Sequence, residues 1–233
     1  MSKDAQKKQA AEAALNLVED GMTLGLGTGS TAAFFVSALA ERVRGGLNVR
    51  GVPTSEQTRA QAEREGVPLT SLGEVGRLDL TIDGADEVDN SFRLIKGGGG
   101  ALLREKIVAS ASDRVAIIVD EAKCVDHLGA FPLPVEIVPF GARVTENRIA
   151  ELLGVYGEGE VNVVLRTDQF GEPYVTDGEH LIVDAAFNKM VNIEGLATAL
   201  DSMTGVVDHG LFIGLCDTLI VGGDAGIQVL NKS

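Results

Sequence analysis

Three short stretches hold the residue types that could do chemistry. In KGGGGALLREK, residues 96–106, Lys96 precedes four glycines, and Glu105 lies about two turns into a run that reads as helix. Glycine loses more backbone entropy on folding than any other residue, so an ordered run of four needs a reason. Gly97, Gly98 and Gly99 would let a ligand sit against the backbone at the helix mouth. Lys96 could stabilise negative charge on an oxygen, and Glu105 could act as a general base. The plainer reading is a flexible loop with a surface glutamate flanked by Arg104 and Lys106. The residues alone leave both readings open.

TIDGADEVD, residues 81–89, puts Asp83 and Asp86 just past the C-terminal end of an apolar strand. Open α/β sheets bind ligands outside that end. Two close carboxylates can have their pKa values pushed apart, which suits acid and base work. A solvated acidic turn is the alternative. The spacing 83, 86, 89 does not match a calcium loop. GLGTGST, residues 25–31, follows a strand and opens a helix. Helix amides with the Ser30 and Thr31 hydroxyls could cradle a phosphate or carboxylate. The dinucleotide fingerprint fails because position 30 is Ser and the second strand, VRGVPTS, ends without an acid. The Walker pattern fails for want of its lysine. A plain βα turn with Ser as N-cap is the competing reading. His127, His180 and His209 form no ligand-spaced cluster, and nothing marks Cys124 as a nucleophile, so metal chemistry has little support.

These stretches need a scaffold to position them. Apolar runs at 22–27, 47–53, 78–83 and 114–120 read as strands, and segments 30–43, 55–66 and 101–111 as helices. Alternation with short loops predicts an α/β fold: a parallel-rich, Rossmann-like sheet with helices on both faces. The N-terminal segment reads as an amphipathic helix burying Ala13, Leu15, Leu17 and Val18. The rhythm changes at FPLPVEIVPF (131–140). A helix at 142–153, strands near 161–166 and 180–185, a helix at 193–203 and a strand near 205–209 follow, a βαββαβ order of ferredoxin-like α+β type. The LFIGLCDTLIVGG and IQVL segments return to buried-strand character. The expected organisation is a catalytic α/β domain from 1–130 and 208–233, with an inserted α+β domain at 131–207.

Composition bounds the partners. Of 233 residues, 45% are hydrophobic and 23% charged, ordinary for a globular protein. The formal net charge of −14 argues against nucleic acid, which needs a basic surface. Any anionic ligand must be held by local amides and a few lysines. The two cysteines, Cys124 and Cys216, lack a CxxC pattern and read as reduced thiols. No apolar run has the length of a membrane span, and the N-terminus lacks the apolar core of a signal peptide, so a cytoplasmic location is expected.

Taken in order and spacing, GLGTGST, DGADEVD, KGGGGALLREK and FPLPVEIVPF resemble type A ribose-5-phosphate isomerases along essentially the whole chain. Thr204, where proline would be expected, is a small departure far from these motifs. The resemblance implies interconversion of D-ribose 5-phosphate and D-ribulose 5-phosphate in the pentose phosphate pathway, with no metal or organic cofactor and a homodimer or homotetramer. It puts the catalytic base on Glu105. Substrate contacts fall on Thr28, Gly29, Ser30 and Thr31; on Asp83, Gly84, Ala85 and Asp86; on Lys96, Gly97, Gly98 and Gly99; and on Lys123. In that chemistry Lys96 and the glycine amides would stabilise a cis-enediolate, and Asp83 or Asp86 would handle sugar hydroxyls. The phosphate would sit at Ser30–Thr31 with help from Lys123 and Lys7. An acyl-CoA transferase using a glutamate nucleophile and a non-catalytic sugar-phosphate sensor are the alternatives. The chain is short for the first and lacks the DNA-binding helix pair usual in the second.

Overall fold

The computed structural model describes residues 1–187 and 189–232. The chain forms two compact units: Met1–Ala85, Arg104–Cys124 and Gly214–Ser233 make the first, and Asp86–Leu103 with Val125–Ile213 the second. The segment 131–207 lies wholly inside the second unit, which also takes in 86–103, 125–130 and 208–213.

The first unit is Rossmann-like. Its six-stranded sheet runs in the order Gly226–Asn231, Thr218–Gly223, Val115–Asp120, Leu80–Asp83, Thr23–Leu26, Arg50–Pro53. All neighbours are parallel except the final hairpin. The inner strands are short and apolar because both faces are covered. Leu24, Leu26, Leu80, Ile82, Ala116 and Ile118 pack with Phe35, Val36 and Leu39 of the Ser30–Arg44 helix and with Ala10, Ala11 and Ala14 of the Lys3–Ala14 helix. On the opposite face, a Cβ added at Gly25 would meet the Thr81 hydroxyl and Val108 of the Leu102–Ser110 helix.

Two expectations need correcting here. The first helix buries Ala10, Ala11 and Ala14, while Ala13, Leu15 and Leu17 are only partly covered; Val18, just beyond it, is buried as expected. Small alanines let that helix lie close to its neighbours, and the larger residues fall in the turn after it. The IQVL tail is a strand but not a buried one: Ile227, Val229 and Leu230 are exposed, because the hairpin places them on the sheet edge.

The second unit contains the expected βαββαβ order. Leu133–Ile137, Ala142–Tyr156, Asn162–Leu165, Leu181–Ala186, Ile193–Asp201 and Val206–His209 give an antiparallel sheet ordered Asn162–Leu165, Leu181–Ala186, Leu133–Ile137, Val206–His209. Ile149, Leu153, Leu196 and Leu200 of its helices pack on Val135, Ile137 and Val183. Sequence reading missed a small antiparallel ladder of Glu87–Asp89, Leu94–Ile95 and Leu211–Phe212. It fixes both ends of the segment that carries Asp86 and Lys96.

Candidate active site

The order of the first sheet creates a topological switch point. Arg50–Pro53 lies on one side of Thr23–Leu26 and Leu80–Asp83 on the other, so connections leave the first strand in opposite directions. The crevice outside the C-terminal ends of such strands is where open α/β sheets take ligands. The 27–31 loop and Asp83–Gly84 border it. Asp83 is 2% exposed, and its Oδ1 accepts the Thr28 N–H at 3.1 Å and the Gly84 N–H at 2.7 Å. A Cβ on Gly27 would lie 2.1 Å from that oxygen, so only glycine allows the two loops to approach. The Thr28 hydroxyl turns inward, 2.7 Å from Thr54 Oγ1 and donating to Ser55 Oγ at 2.8 Å. Thr58 joins them by donating to the Gly27 carbonyl at 2.9 Å. Thr28 therefore shapes the loop with both its amide and its side chain.

Gly29, not Ser30, is the N-cap of the 15-residue Ser30–Arg44 helix, with φ at +111° and no side-chain cap. The plain reading with serine as cap is thus corrected. The first turn carries no acid, so its amides and the positive end of the helix dipole suit an anion. The Lys7 ammonium donates to Ser30 Oγ at 3.0 Å, putting a cation at this mouth. Thr31 is buried beside Gly84: its Cβ would be 4.0 Å from a Cβ built there. Lys123 ends a short turn following the Val115–Asp120 strand, at the same C-terminal edge of the sheet. Lys7, Ser30, Thr31 and Gly84 thus converge on the crevice that Asp83 organises.

Glu105 sits in the first turn of the Leu102–Ser110 helix and is 3% exposed. That removes the surface-glutamate reading. Its neighbour Arg104 instead reaches Glu56, at 3.0 Å. Burial keeps bulk water from the Glu105 carboxyl group.

Within the second unit, the Gly98 N–H donates to Asp86 Oδ2 at 2.7 Å. A Cβ on Gly98 would come within 2.9 Å of both Asp86 carboxylate oxygens and of the Phe131 ring. Gly98 and Gly99 present open backbone, whereas Lys96 is 3% exposed with its ammonium 5.4 Å from the Phe212 ring centroid. That distance allows a cation–π contact. Arg166 and Tyr174 also hold this loop, and sequence reading passed over both. The Arg166 Nη1 donates to the Gly97 carbonyl at 2.9 Å, and a Cβ on Gly100 would be 2.2 Å from the Tyr174 hydroxyl. No local pattern could have found Arg166, since its loop partner is 69 residues away.

Among the described residues, Asp201, Asp208 and His209 bring ligand atoms within 4.8 Å of one another. The Leu211 N–H donates to His209 Nδ1, so Nε2 bears the proton shared with Asp201 and is not an open ligand. No described helix is long and apolar enough to cross a membrane.

A switch-point crevice with an uncapped helix end, flanking lysines and buried carboxylates defines an α/β protein built for a small anionic ligand. Residues 50–226 match the family model for ribose 5-phosphate isomerase A (phosphoriboisomerase A). A ribose-5-phosphate isomerase A of Parvibaculum lavamentivorans is 53% identical over 99% of this chain and all of its own length. One from Rhodopseudomonas palustris is 54% identical over the whole of both chains. Among solved structures, the ribose 5-phosphate isomerase A of Methanocaldococcus jannaschii superposes with a TM-score of 0.91 at 37% identity, covering 99% of this chain and 100% of that one. The ribose 5-phosphate isomerase of Plasmodium falciparum gives 0.92 at 37% identity, covering 99% of each. The chain belongs to the ribose 5-phosphate isomerase A family and is an isomerase.

Proposed function

We propose that this isomerase interconverts D-ribose 5-phosphate and D-ribulose 5-phosphate through a cis-enediolate, in the non-oxidative branch of the pentose phosphate pathway. The burial of Glu105 carries the mechanism. Its carboxylate removes the C2 proton of the open-chain aldose, and the electron pair moves through C1 onto O1. The O2 proton passes to O1, and Glu105 returns its proton to C1 to give the ketose. Lys96 and the Gly97 and Gly99 amides stabilise the developing oxyanion, a charge absent from the ground state, while the Gly98 amide holds Asp86. Asp83 and Asp86, with the Gly84–Ala85 backbone, handle the sugar hydroxyls. Ser30, Thr31, Lys7 and Lys123 hold the phosphate on a loop shaped by Thr28 and Gly29. That remote grip keeps the reacting carbons in place.

A structure similar to this chain, with a TM-score of 0.92, is that of a D-ribose-5-phosphate isomerase in complex with phospho-erythronic acid. That ligand places a carboxylate on a short phosphorylated chain, the charge pattern of an enediolate, and supports the reading. Catalysis is assigned to the 1–130 and 208–233 portion, which carries every residue named for it, with 131–207 as the insertion. A cytoplasmic homodimer or homotetramer working without a metal completes the proposal. The test is conversion of ribose 5-phosphate to ribulose 5-phosphate in the presence of EDTA. Turnover is expected, and absence of turnover with or without metal would overturn the assignment.

A further inference from the structure

The glycine loop does not hold itself. Arg166 Nη1 donates to two successive carbonyls, Gly97 at 2.9 Å and Gly98 at 3.3 Å. The other edge of the guanidinium is locked on Asp184, with Nε donating to Oδ2 at 2.8 Å and Nη2 to Oδ1. Its carbon lies 5.9 Å from the Tyr174 ring centroid. Arg166 and Tyr174 come from one strap, joined by the Tyr174 N–H donating to the Arg166 carbonyl at 2.9 Å. The Arg166 and Asp184 side chains are 14% and 23% exposed, so water competes weakly for the pair.

A trans peptide is planar, and its N–H points opposite its C=O. Fixing the Gly97 carbonyl therefore fixes the Gly98 N–H, which meets Asp86 Oδ2 at 2.7 Å. Fixing the Gly98 carbonyl aims the Gly99 N–H away from Arg166 in the same manner. A cation on both carbonyls also polarises these peptides and strengthens their N–H groups as donors. Glycine at 97–99 leaves the backbone without steric preference, so something else must choose the orientation of each plane.

We infer that Arg166 is a positioning residue for the isomerisation, clamping the Gly97 and Gly98 carbonyls so that the Gly98 amide orients Asp86 and the Gly99 amide meets the enediolate oxygen. This rests on the proposed reading that the loop amides stabilise that oxygen. Asp184 serves Arg166 by accepting from its Nε and Nη2. The fork is what matters: lysine could reach one carbonyl but could not hold Asp184 with two parallel bonds.

The test compares kcat and KM for ribose 5-phosphate in wild type, Arg166→Ala, Arg166→Lys and Asp184→Asn, with urea unfolding of each. Misaimed oxyanion donors cost turnover, so Arg166→Ala should lose roughly tenfold to a hundredfold in kcat with KM changed less than about threefold. Arg166→Lys should recover part of that loss, and Asp184→Asn should show a smaller loss of the same kind. Wild-type kcat in Arg166→Ala, or a rise in KM alone, would overturn the inference while leaving the proposed function standing. If Arg166→Ala does not fold, the other two variants decide: reduced kcat with unchanged unfolding supports the clamp, and wild-type kcat overturns it. A wild-type enzyme inactive on ribose 5-phosphate would overturn the proposed function and this inference with it.

Discussion

Asp83 Oδ1 accepts the Thr28 N–H at 3.1 Å and so ties the ends of the first and third strands together across the crevice. The same oxygen takes the Gly84 amide, so one buried atom sets two loops. Asp83→Ala would leave both amides without this acceptor. A buried donor left unmade costs on the order of 1–3 kcal/mol. Urea unfolding should show a loss of at least that size together with a raised KM. Asp83→Asn, which keeps an acceptor oxygen, should unfold closer to wild type. Equal stability of Asp83→Ala and wild type would refute the anchoring role.

Gly27 faces the same carboxylate from the other side. An added Cβ would be 2.1 Å from Asp83 Oδ1 and 2.5 Å from the Asp83 Cα, which is backbone and cannot swing away. Gly27→Ala should therefore destabilise by roughly 1–3 kcal/mol and weaken substrate binding. Thermal unfolding and KM measured on the same preparation check this. Tolerance of alanine would mean that the loops are free to part.

Lys7 reaches Ser30 from the first helix at 3.0 Å. Its proposed role is to hold phosphate, a grip that does not change along the reaction. Lys7→Ala should then raise KM about tenfold or more, as for loss of one charge-assisted hydrogen bond, with kcat little altered. Wild-type KM should climb with salt more steeply than that of the variant, since screening weakens exposed charge pairs. A loss confined to kcat would place Lys7 in the chemistry instead.

Cys216 is buried at the start of the Thr218–Gly223 strand region, and burial, with Asp217 nearby, pushes its thiol up to about 12 from 9.0. The folded state then keeps a proton that the unfolded chain loses. Stability from this group is whole below pH 9 and declines as pH rises from 9 towards 12. Chemical denaturation between pH 8 and 11 should show that decline, and Cys216→Ala should flatten it. The exposed Cys124 should react first with thiol reagents, though burial of part of its surface and the nearby Asp120 and Glu121 raise its pKa as well. Identical alkaline slopes in wild type and Cys216→Ala would exclude the thiol as the cause.

Much of this molecule could be read from residue order. Buried parallel strands such as Val115–Asp120 are continuous apolar runs, and that pattern is visible without a partner. Glu105 and the glycines stood out because their types are costly unless used. Other features carry no local signal. Ile227, Val229 and Leu230 look like core residues, yet they lie on a sheet edge, and edge position depends on which strands exist elsewhere. The Glu87–Asp89 and Leu94–Ile95 pairing is too short to show a period. Arg166 lies in an unremarkable extended segment and becomes meaningful only when folding brings Gly97 and Asp184 to its two edges.

In the proposed mechanism the buried Glu105 carboxylate moves the proton between C2 and C1. Glu105→Gln keeps the shape and removes the base. Ribose 5-phosphate turnover and exchange of the C2 proton with solvent deuterium, measured with unfolding curves for wild type and variant, address it directly. Both turnover and exchange should fall by about a hundredfold or more in a variant that unfolds like wild type. Turnover or exchange near the wild-type rate in Glu105→Gln would contradict the account and move the base to another carboxylate.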